Sequence, residues 1–520
     1  MLHKNYIGGR WVESDSDQEP FDSRNPANLE EVIGLFESSS PSDVGAAIEA
    51  AESARSTWGA ESIDSRVAKL QVWAEKLNAQ KDDLAKLITR DNGKKLADAA
   101  GEVMGATFFI GCLRKIAQGK DPFSVRHVID KKKGDFGVVI GVPAGVSGLI
   151  TPFNFPLWTP IIKMAAALAA GCPIVMKSPT DAPAATHRLV EILDETGEFP
   201  AGTVNLLHGN GLGSAFTQKY VDRFARLSFT GSTETGLKIG ALAAEKNVRY
   251  AAELGGLNEI VLGPDIQESD ERFAGFIKVA VDGMLANGGQ MCTAVSRIVV
   301  PEERYAAVAE AMVERIKKYA IGDGLDEKTR ITPLTTRDRL QEIASLAWRA
   351  KGQKEGELLI GGSPISPVGN FESGTDLLFT GNAEQGCYME PTLFGKVDPT
   401  SAILGQTEIF GPVAHIVTYP GSQPDRIFEI SKTSRFGLHS GLMTGDAKLA
   451  TRYALEVQAG SIFFNRQIVF ADPRLPFGGL KMSGNGEKEV GPDALHFWQD
   501  EKAIEFAKDL GIFAEYLPES

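Results

Sequence analysis

The sequence predicts an α/β protein whose sheets are mostly parallel. From about residue 146 to residue 257, short β-branched runs alternate with helical segments, and a second alternating region extends from Ile260 to about Phe464. Strands and helices that follow one another in series form a parallel sheet with helices on both faces. Because ligands bind beyond the carboxyl ends of the strands in such sheets, we expect the chemistry at that edge.

The first hundred residues are expected to be rich in helix. Asp43 is placed to act as the N-cap of an amphipathic helix, and a second periodic stretch extends from about Ser65 to Thr89. The β-branched run Gly137 to Val142 predicts strands. An exposed strand between about Phe123 and Gly141 would be an edge that pairs with a neighbour, and the polar tail from Glu487 to Ser520 could serve the same purpose.

Strand–helix units succeed one another in the first alternating region. Each strand ends in glycine, proline or polar residues, which is typical of turns at the edge of a sheet. The residues after these strands should therefore meet at one edge. The predicted strands are Val146–Ile150, Pro173–Lys177, Thr203–Leu207, Arg226–Thr230 and Val248–Ala252, and the predicted helices include Leu157–Ala170, one through Leu189–Leu193 and one that ends near Glu245.

Composition limits the functions that the chain can have. With 520 residues, of which 43% are hydrophobic, the chain can bury a large core and build two or more structural units. Its formal net charge of -14 makes it a poor ligand for nucleic acid, because a polyanion is repelled over most of the surface. The N-terminus lacks the apolar core of a signal peptide, and we expect no segment long enough to cross a membrane.

The four cysteines form neither a disulfide framework nor a metal-ligand spacing, which predicts a reducing, cytoplasmic environment and no metal site. Cys112, Cys172 and Cys387 lie in apolar or glycine-containing stretches, so we interpret them as packing residues. Cys292 differs, because it lies between Gly288-Gly289-Gln290 and Thr293-Ala294. Small neighbours favour access of a reagent, although a lone cysteine is more often a buried packing residue.

Glu253 begins the turn Glu253-Leu254-Gly255-Gly256, 39 residues before Cys292. A thiol and a carboxylate are the nucleophile and the base that covalent oxidation of an aldehyde requires. A lone glutamate at the end of a strand is usually a solvent-exposed structural residue. Glu253 and Cys292 alone therefore do not establish an active site, and polar residues at the other strand ends are needed to support that interpretation.

Polar residues do follow those other strands. Asn154 could donate a hydrogen bond to a developing oxyanion, although turn chemistry is the commonest use of asparagine. Lys177 could reach ribose hydroxyls or phosphate, and Ser232 begins a helix whose free N–H groups would favour phosphate or only need a cap. Later in the chain, Glu408 precedes Ile409-Phe410-Gly411, and residues 476–484 form a glycine-rich aromatic loop.

Taken in order, these segments closely resemble the aldehyde dehydrogenase superfamily over nearly the whole chain. The resemblance implies a Rossmann-type cofactor domain at 1–118 and 146–257, an α/β catalytic domain at 258–464, a β-strand oligomerisation arm at 119–145 and 487–520, and a substrate-tunnel loop at 465–486. The matching segments are T-P-F-N-F-P at 151–156, M-K-S-P at 176–179, F-T-G-S-T-E-T-G at 229–236, E-L-G-G at 253–256, G-Q-M-C-T-A at 289–294, E-I-F-G-P-V at 408–413 and P-F-G-G-L-K-M-S-G at 476–484.

The resemblance also implies roles for residues. Cys292 would attack the aldehyde, the Asn154 amide and the Cys292 N–H would hold the oxyanion, and Glu253 would activate the water that hydrolyses the thioester. Lys177 and Glu408 would bind the two riboses of NAD or NADP, with Ser232 at the pyrophosphate. The implied cofactor-binding residues are Thr151, Pro152, Phe153, Lys177, Thr180, Gly211, Thr230, Gly231, Ser232, Leu254, Gly255, Glu408 and Phe410.

One departure bears on the choice of cofactor. Relatives that prefer NAD commonly have a glutamate three residues after the lysine, where it repels a 2′-phosphate, and this chain has Thr180 there. We therefore expect NADP to be accepted.

The substrate is less constrained. The expected tunnel walls are bulky, which suggests an apolar or aromatic aldehyde. Arg466 and Gly491-Pro492-Asp493 look somewhat like the pyrroline-5-carboxylate dehydrogenase branch, so an anionic semialdehyde of the glutamate-semialdehyde type is an alternative, unless Arg466 ties an interface of the homodimer or homotetramer. A CoA-acylating enzyme and a non-catalytic protein are further alternatives. The expected wall residues are Trp158, Thr159, Ile162, Met291, Thr293, Ile468, Val469, Phe470 and Phe477.

Overall fold

The computed structural model describes residues 2–119, 126–130, 135–209 and 215–506. The predicted cofactor residue Gly211 and the last residues of the predicted arm, 507–520, lie outside these ranges.

The chain begins with short strands that the sequence analysis did not predict. They are β1 (Leu2–His3), β2 (Asn5–Ile7), β3 (Arg10–Val12), β4 (Phe21–Asn25) and β5 (Asn28–Phe36). Strands β1, β5 and β4 form a small sheet, whereas β2 and β3 extend the first large sheet. Most of these strands are too short to show an alternating pattern of apolar residues. Strands β2 and β3, and β4 and β5, pair as local antiparallel hairpins, whereas β1 and β2 also pair with strands farther along the chain.

Four helices follow: α1 (Pro41–Ala60), α2 (Ile63–Ala79), α3 (Lys81–Asn92) and α4 (Leu96–Gly119). The N-cap of α1 is Ser40 and not Asp43, so that prediction was wrong by three residues. The Asp43 N–H donates to Ser40 Oγ (3.1 Å), and the Ser40 N–H donates to Asp43 Oδ2 (2.7 Å). This reciprocal pair is a capping box, with Pro41 at the first helical position.

The single helical stretch predicted from Ser65 to Thr89 is two helices, α2 and α3, which meet at Gln80. Leu77 before the break and Leu84 after it belong to the same core. The apolar periodicity therefore continues across the break at Gln80. This continuity explains why the break does not appear in the sequence pattern.

Helix α4 corrects the expectation that no segment is long enough to cross a membrane. Leu96–Ile116 has the required length and a mean hydropathy of 1.4, with 39% of the window buried. Its buried residues, among them Val103, Phe109 and Leu113, belong to the first core, and the helix packs against α2 and α3. Packing in the core therefore accounts for the apolar residues on the buried face of this helix.

The first large sheet has the strand order β12-β11-β8-β9-β10-β2-β3, in which β8 to β12 are parallel. Register pairs Ile150 with Lys177 and Thr230 with Glu253, so these strands end at a common edge. The predicted strand series is confirmed. Its elements are β8 (Ser147–Ile150), α5 (Trp158–Ala170), β9 (Ile174–Lys177), α6 (Ala184–Asp194), β10 (Val204–Leu207), a π-helix (Ala215–Lys219), a 3₁₀ turn (Val221–Arg223), β11 (Arg226–Thr230), α7 (Thr233–Glu245) and β12 (Arg249–Glu253).

The second large sheet has the order β17-β18-β19-β14-β13-β21-β22, and all its pairings except β17 with β18 are parallel. Both large sheets are therefore mostly parallel, which confirms the predicted α/β class. Two further sheets of two strands each, β15 with β16 and β20 with β23, belong to the same part of the chain. The elements from residue 258 to residue 481 are β13 (Asn258–Leu262), α8 (Glu271–Leu285), β14 (Val295–Pro301), α9 (Tyr305–Lys317), β15 (Ala320–Ile321), β16 (Thr329–Ile331), α10 (Arg337–Gly352), β17 (Glu357–Ile360), β18 (Thr392–Gly395), β19 (Val413–Tyr419), α11 (Arg426–Thr433), β20 (Phe436–Gly437), β21 (His439–Met443), α12 (Ala447–Glu456), β22 (Ser461–Phe464) and β23 (Leu480–Lys481), with 3₁₀ turns at Ala286–Gly289 and Glu302–Arg304.

A third sheet contains β6 (Arg126–Asp130), β7 (Asp135–Pro143) and β24 (Gln499–Phe506) in the antiparallel order β24-β7-β6. The segment before β24, which includes a 3₁₀ turn at His496–Trp498, packs into the first core through Val490, Leu495 and Trp498. The strand of the predicted arm thus begins at Gln499, later than the expected boundary at 487. The division of the chain into domains stays a prediction.

Candidate active site

A pocket of about 840 Å³ lies between the carboxyl edge of the first sheet and the second sheet. Its wall includes Asn154, Lys177, Glu253, Cys292 and Glu408. These residues come from five separate segments of the chain, and the fold brings them to one cavity.

Most of the other predicted site residues line the same pocket. The exceptions are Met291 and Ile468, which are buried in the core, and Arg466, which is solvent-exposed with its guanidinium 5.9 Å from the Phe463 ring. Met291 is buried in a small cluster with Ala294 and Val469, behind the pocket wall that Val469 forms. The lining residues predicted from sequence are Thr151, Pro152, Phe153, Trp158, Thr159, Ile162, Thr180, Thr230, Gly231, Ser232, Leu254, Gly255, Thr293, Phe410, Val469, Phe470 and Phe477.

The turn before Cys292 has left-handed backbone conformations, with φ of 50° at Asn287 and 74° at Gly289. A Cβ at Gly289 would lie 2.1 Å from the Gly411 carbonyl oxygen, and one at Gly256 would lie 2.4 Å from the Cys292 carbonyl oxygen. Only glycine permits these approaches. The Cys292 carbonyl also accepts a hydrogen bond from Asn258 Nδ2 at 2.8 Å, so the cysteine is held against the Glu253–Gly256 turn.

The Cys292 thiol is partly exposed to the pocket. Desolvation raises the pKa of this thiol well above its usual value, and the nearby carboxylates Glu408 and Glu253 raise it further. The thiol is therefore protonated at neutral pH until a base or a positive charge acts on it.

Glu253 is the last residue of β12 and is buried. Its Oε2 accepts a hydrogen bond from the Gly479 N–H at 3.1 Å, and a Cβ at Gly478 would lie 2.5 Å from its Oε1. Burial raises the pKa of Glu253 to about 8, and the negative charge of Glu489 adds to this, whereas Lys163 opposes it. A carboxylate with such a pKa can act as a base near neutral pH.

Sequence reasoning missed the buried partners of Glu253. Lys163 Nζ donates to Glu489 Oε2 and to Ser228 Oγ, both at 2.5 Å, and Ser228 Oγ donates to Glu489 Oε1 at 2.5 Å. Lys163 and Glu489 also line the pocket. The available signal was Lys163 itself, which is the charged residue in the otherwise apolar helix α5.

Asn154 is held from both its side chain and its backbone. Nδ2 donates to the Gln290 carbonyl at 3.0 Å, which uses one of the two amide N–H groups, and the Asn154 carbonyl accepts from Lys94 Nζ at 2.7 Å. Lys94 forms a buried ion pair of 2.5 Å with Glu102, whose Oε1 accepts from the N–H groups of Leu157 and Trp158 at 2.9 Å. Sequence reasoning also missed this pair.

The far end of the pocket carries the residues expected to bind a cofactor. Lys177 Nζ donates to the Ser178 carbonyl (2.9 Å) and lies 3.4 Å from Thr180 Oγ1, and burial lowers the pKa of Lys177 to about 8. Glu408 Oε1 accepts from the Gly256 N–H at 2.8 Å, and burial raises the pKa of Glu408 to about 7. Ser232 caps α7 by accepting from the Thr235 N–H at 3.3 Å.

Phe410 lies beside this end of the pocket with φ of 57°, and its ring packs edge-to-face on Phe153 with 6.0 Å between the centroids. A left-handed conformation is uncommon for an aromatic residue and is typical of functional sites. Arg339 and Glu342 of α10 line the pocket as well, and sequence reasoning missed both.

A family model described as the aldehyde dehydrogenase family matches residues 11–504. The chain belongs to the aldehyde dehydrogenase family. It is thereby an oxidoreductase of a family that uses NAD or NADP. Among curated relatives, the chain is similar to the aldehyde dehydrogenase DhaS of Bacillus subtilis (strain 168), with 34% identity over 511 residues, which is 96% of this chain and 95% of the relative.

Solved aldehyde dehydrogenase structures resemble the whole chain. The NAD-dependent aldehyde dehydrogenase of Sinorhizobium meliloti has a TM-score of 0.87 at 26% identity, covering 98% of this chain and 95% of that one. Betaine aldehyde dehydrogenase of Staphylococcus aureus, solved in complex with NAD⁺, has a TM-score of 0.86 at 29% identity, covering 98% and 95%. These similarities show that the chain has the aldehyde dehydrogenase fold, in agreement with the fold class predicted from the sequence.

Outside the pocket, histidines cluster beside the first sheet. His187 Nδ1 lies 3.1 Å from His208 Nε2, His208 Nδ1 lies 2.8 Å from Ser178 Oγ, and His187 Nε2 lies 3.3 Å from Glu191. His3, His187 and Glu191 could together hold a metal ion, although their side chains also have hydrogen-bonding and ring partners within the cluster. The expectation of no metal site stays a prediction.

Proposed function

We propose that this protein oxidises an uncharged, apolar or aromatic aldehyde to the carboxylic acid through a thioester on Cys292. The observation that carries the proposal is the common pocket of a cysteine, an asparagine amide and a buried glutamate whose pKa is about 8. A nucleophile, an oxyanion donor and a base are the three groups that the reaction needs.

In the proposed reaction, Cys292 Sγ bonds to the aldehyde carbon, and the thiol, which is partly exposed to the pocket, releases its proton to solvent. The carbonyl oxygen becomes an oxyanion that accepts hydrogen bonds from the free Asn154 amide N–H and the Cys292 N–H. Loss of a hydride from the same carbon leaves a thioester. Glu253 then takes a proton from the water that attacks the thioester, the C–S bond breaks, and the acid is released.

The polar end of the pocket fits a nicotinamide dinucleotide. Lys177 offers an ammonium group to ribose hydroxyls, the start of α7 at Ser232 offers N–H groups to a pyrophosphate, and Glu408 offers a carboxylate to a second ribose. A Cβ at Gly255 would lie 2.0 Å from Glu408 Oε2, so glycine keeps this carboxylate in place beside the pocket. When bound, the oxidised cofactor supplies the acceptor for the hydride.

We propose that NADP is accepted as well as NAD. Thr180 lines the pocket beside Lys177 and carries no charge that would repel a 2′-phosphate. Asp181 follows it but is not part of the lining, and burial raises its pKa, with Arg339 and Lys177 opposing this effect. Asp181 should therefore repel a 2′-phosphate much less than a glutamate at position 180 would.

The preference for an uncharged substrate rests on the charges of the substrate end. Asp98 pairs with Lys95 at 3.3 Å, Glu102 with Lys94 at 2.5 Å, and Asp472 with Arg474 at 2.5 Å. These carboxylates are neutralised by their partners, so they offer little to a cationic aldehyde such as the betaine aldehyde of the Staphylococcus relative.

An anionic semialdehyde has less support. Arg466, on which that alternative depends, is exposed and absent from the lining. Lys163 does line the substrate end, but it is paired with Glu489. A CoA-acylating reaction is disfavoured because Glu253 provides a base for hydrolysis.

We also propose a homodimer or homotetramer assembled through the β6–β7–β24 sheet, in which β6 and β24 are the edge strands among the residues that the structure describes. The four unpaired cysteines agree with a reducing, cytoplasmic location.

The deciding experiment is an absorbance assay at 340 nm with a panel of aldehydes and both cofactors. We expect reduction of NAD⁺ and NADP⁺ with benzaldehyde and alkanals, weaker reduction with glutamate semialdehyde and betaine aldehyde, and the free acid as product with or without CoA. Formation of an acyl-CoA, or activity confined to the charged aldehydes, would contradict the proposal.

A further inference from the structure

A group of side chains that are typical metal ligands lies outside the pocket, where β1 meets α6. His187 and Glu191 are four residues apart on α6, so they share one face of the helix, and His3 of β1 lies beside them. One donor atom from each of these three residues lies within 4.8 Å of the other two. None of the three lines the pocket, so the group is separate from the candidate active site.

The separation of the donor atoms fits a small dication. His187 Nε2 lies 3.3 Å from Glu191 Oε1. Two ligand atoms that are each about 2.1 Å from a tetrahedral ion lie about 3.4 Å apart, so this pair already has the required spacing. The remaining donor separations, which are 4.8 Å or less, must shorten by at most about 1.4 Å. Because His3 and Glu191 are both partly exposed, rotation of their side chains can close this gap.

His187 has the supporting contacts that a metal-bound histidine needs. Its other ring nitrogen, Nδ1, lies 3.1 Å from His208 Nε2, and His208 Nδ1 lies 2.8 Å from Ser178 Oγ. A histidine that binds a metal almost always donates its second ring N–H to an acceptor, which fixes the orientation and the tautomer of the ring. The buried ring of His208 can accept this N–H through Nε2 while its own Nδ1–H donates to Ser178 Oγ. His187 Nε2 is then available to an ion.

Ring contacts hold His3 near the other two donors. The His3 ring stacks on Phe36 with 4.7 Å between the centroids and meets the His187 ring edge-on at 4.4 Å. A Cβ at Gly34 would lie 2.9 Å from His3 Cδ2, so the glycine at this position of β5 makes room for the imidazole. Two imidazoles are therefore placed together before any ion binds, which lowers the entropic cost of binding.

We propose that His3, His187 and Glu191 bind a transition-metal dication, in particular Zn²⁺, and that the ion joins β1 to α6. Two imidazole nitrogens and one carboxylate oxygen suit Zn²⁺, whereas Ca²⁺ and Mg²⁺ prefer sets of oxygen ligands. The fourth position of the ion is open to water. The sequence-based expectation of no metal site considered the spacing of the cysteines, and these donors are histidines and a glutamate. The site does not depend on the proposed function.

The competing arrangement is a hydrogen-bonded pair without an ion. In that arrangement His187 Nε2–H donates to Glu191 Oε1, and Arg188 Nη1 donates to Glu191 Oε2 at 2.8 Å, as it can when the ion is bound to Oε1. The pair does not require His3. An ion that joins His3 to His187 closes a long loop of the chain, which restricts the unfolded state and stabilises the fold. Variants of His3 therefore separate the two arrangements.

The test is a Zn²⁺ titration of the full-length chain, purified without a polyhistidine tag and carrying Cys292→Ala so that the active-site thiol cannot act as a ligand. Isothermal titration calorimetry should give one Zn²⁺ per chain. The melting temperature should rise with Zn²⁺ concentration, because the ion binds the folded state. Co²⁺ in place of Zn²⁺ should give the visible absorption of a four-coordinate site.

His3→Gln and Glu191→Gln should each weaken Zn²⁺ binding by about 100-fold or more, since loss of an outer-shell partner alone costs about 10- to 100-fold. The melting temperature of each variant without metal shows whether folding is intact. His496→Gln is the matched control. His496 Nε2 also lies near a carboxylate, that of Glu501 at 3.7 Å, but it belongs to no group of three donors among the described residues. This variant should bind Zn²⁺ as the parent does.

Absence of saturable Zn²⁺ binding up to about 0.1 mM would overturn the site, as would binding that survives in both His3→Gln and Glu191→Gln. Binding that is lost in Glu191→Gln but kept in His3→Gln would refute the link between β1 and α6. A rise of the melting temperature with Zn²⁺ that persists in His3→Gln would refute it as well.

Discussion

The two ends of the pocket are built in different ways. At the catalytic corner, formed by Asn154, Glu253 and Cys292, each group is held by backbone contacts and by glycines that allow those contacts. At the substrate end, the walls are apolar side chains that contact one another through rings, such as Trp158 with Phe109 at 6.0 Å between centroids, and the carboxylates Asp98 and Glu102 are paired with lysines. The corner therefore depends on residue identity, whereas the substrate end depends on shape and on net charge.

The largest effect that this comparison predicts is at Cys292. Cys292→Ala should lower kcat by about 10⁴-fold or more, because no covalent intermediate can form. Rapid mixing should show no burst of NADH. Cys112→Ala is the control and should keep the burst. A burst that survives in Cys292→Ala would remove the cysteine from the mechanism.

Glu253→Gln should reduce steady-state turnover by about 10³-fold while the NADH burst persists, because the amide cannot accept a proton from water. In the unmodified protein, turnover should rise with pH up to about 8, the pKa of Glu253, since the carboxylate is the active form. The exposed Glu245→Gln is the control. Loss of the burst together with turnover would assign Glu253 to thiol activation instead of hydrolysis.

Thr180→Glu tests the cofactor end. The new carboxylate should repel a 2′-phosphate and lower kcat/KM for NADP by about 100-fold relative to NAD, as expected for like charges brought together. Thr180→Gln adds similar bulk without charge and should change the ratio far less. Equal changes in both variants would indicate that size, and not charge, selects the cofactor.

The smallest predicted effect concerns Glu489. Because its charge raises the pKa of Glu253, Glu489→Gln should move the rising limb of the pH–turnover profile to lower pH by about one unit. Glu487→Gln, which alters an ion pair with Arg249 at 3.6 Å, is the matched control. A profile that does not move would show that Glu489 only stabilises Lys163. In that case Glu489→Gln should lower the melting temperature.

The sequence predicted the strand series of the first sheet well, because parallel strands are continuous apolar runs ended by glycine and polar residues. It failed at the N-terminus, where Asn5–Ile7 joins the first sheet by pairing with the distant strand β10, and Arg10–Val12 follows as its hairpin partner. The pairing with β10 has no local pattern. The break at Gln80 was missed for a related reason, since both helices face the same core.

By itself the sequence determined the chemical identity of the catalytic corner and the family, because the reaction tolerates few residue types and the glycines around Cys292 and Glu253 are needed for close backbone contacts. Only the tertiary structure decided which groups tune and surround that corner. The Lys163–Glu489 pair joins distant segments, the Lys94–Glu102 pair bonds to the backbone of the Asn154–Trp158 segment, and Arg466 and Met291 are absent from the pocket lining. Burial and ion pairing determine the charge state of each of these groups and whether it reaches the pocket. Both depend on the folded chain as a whole.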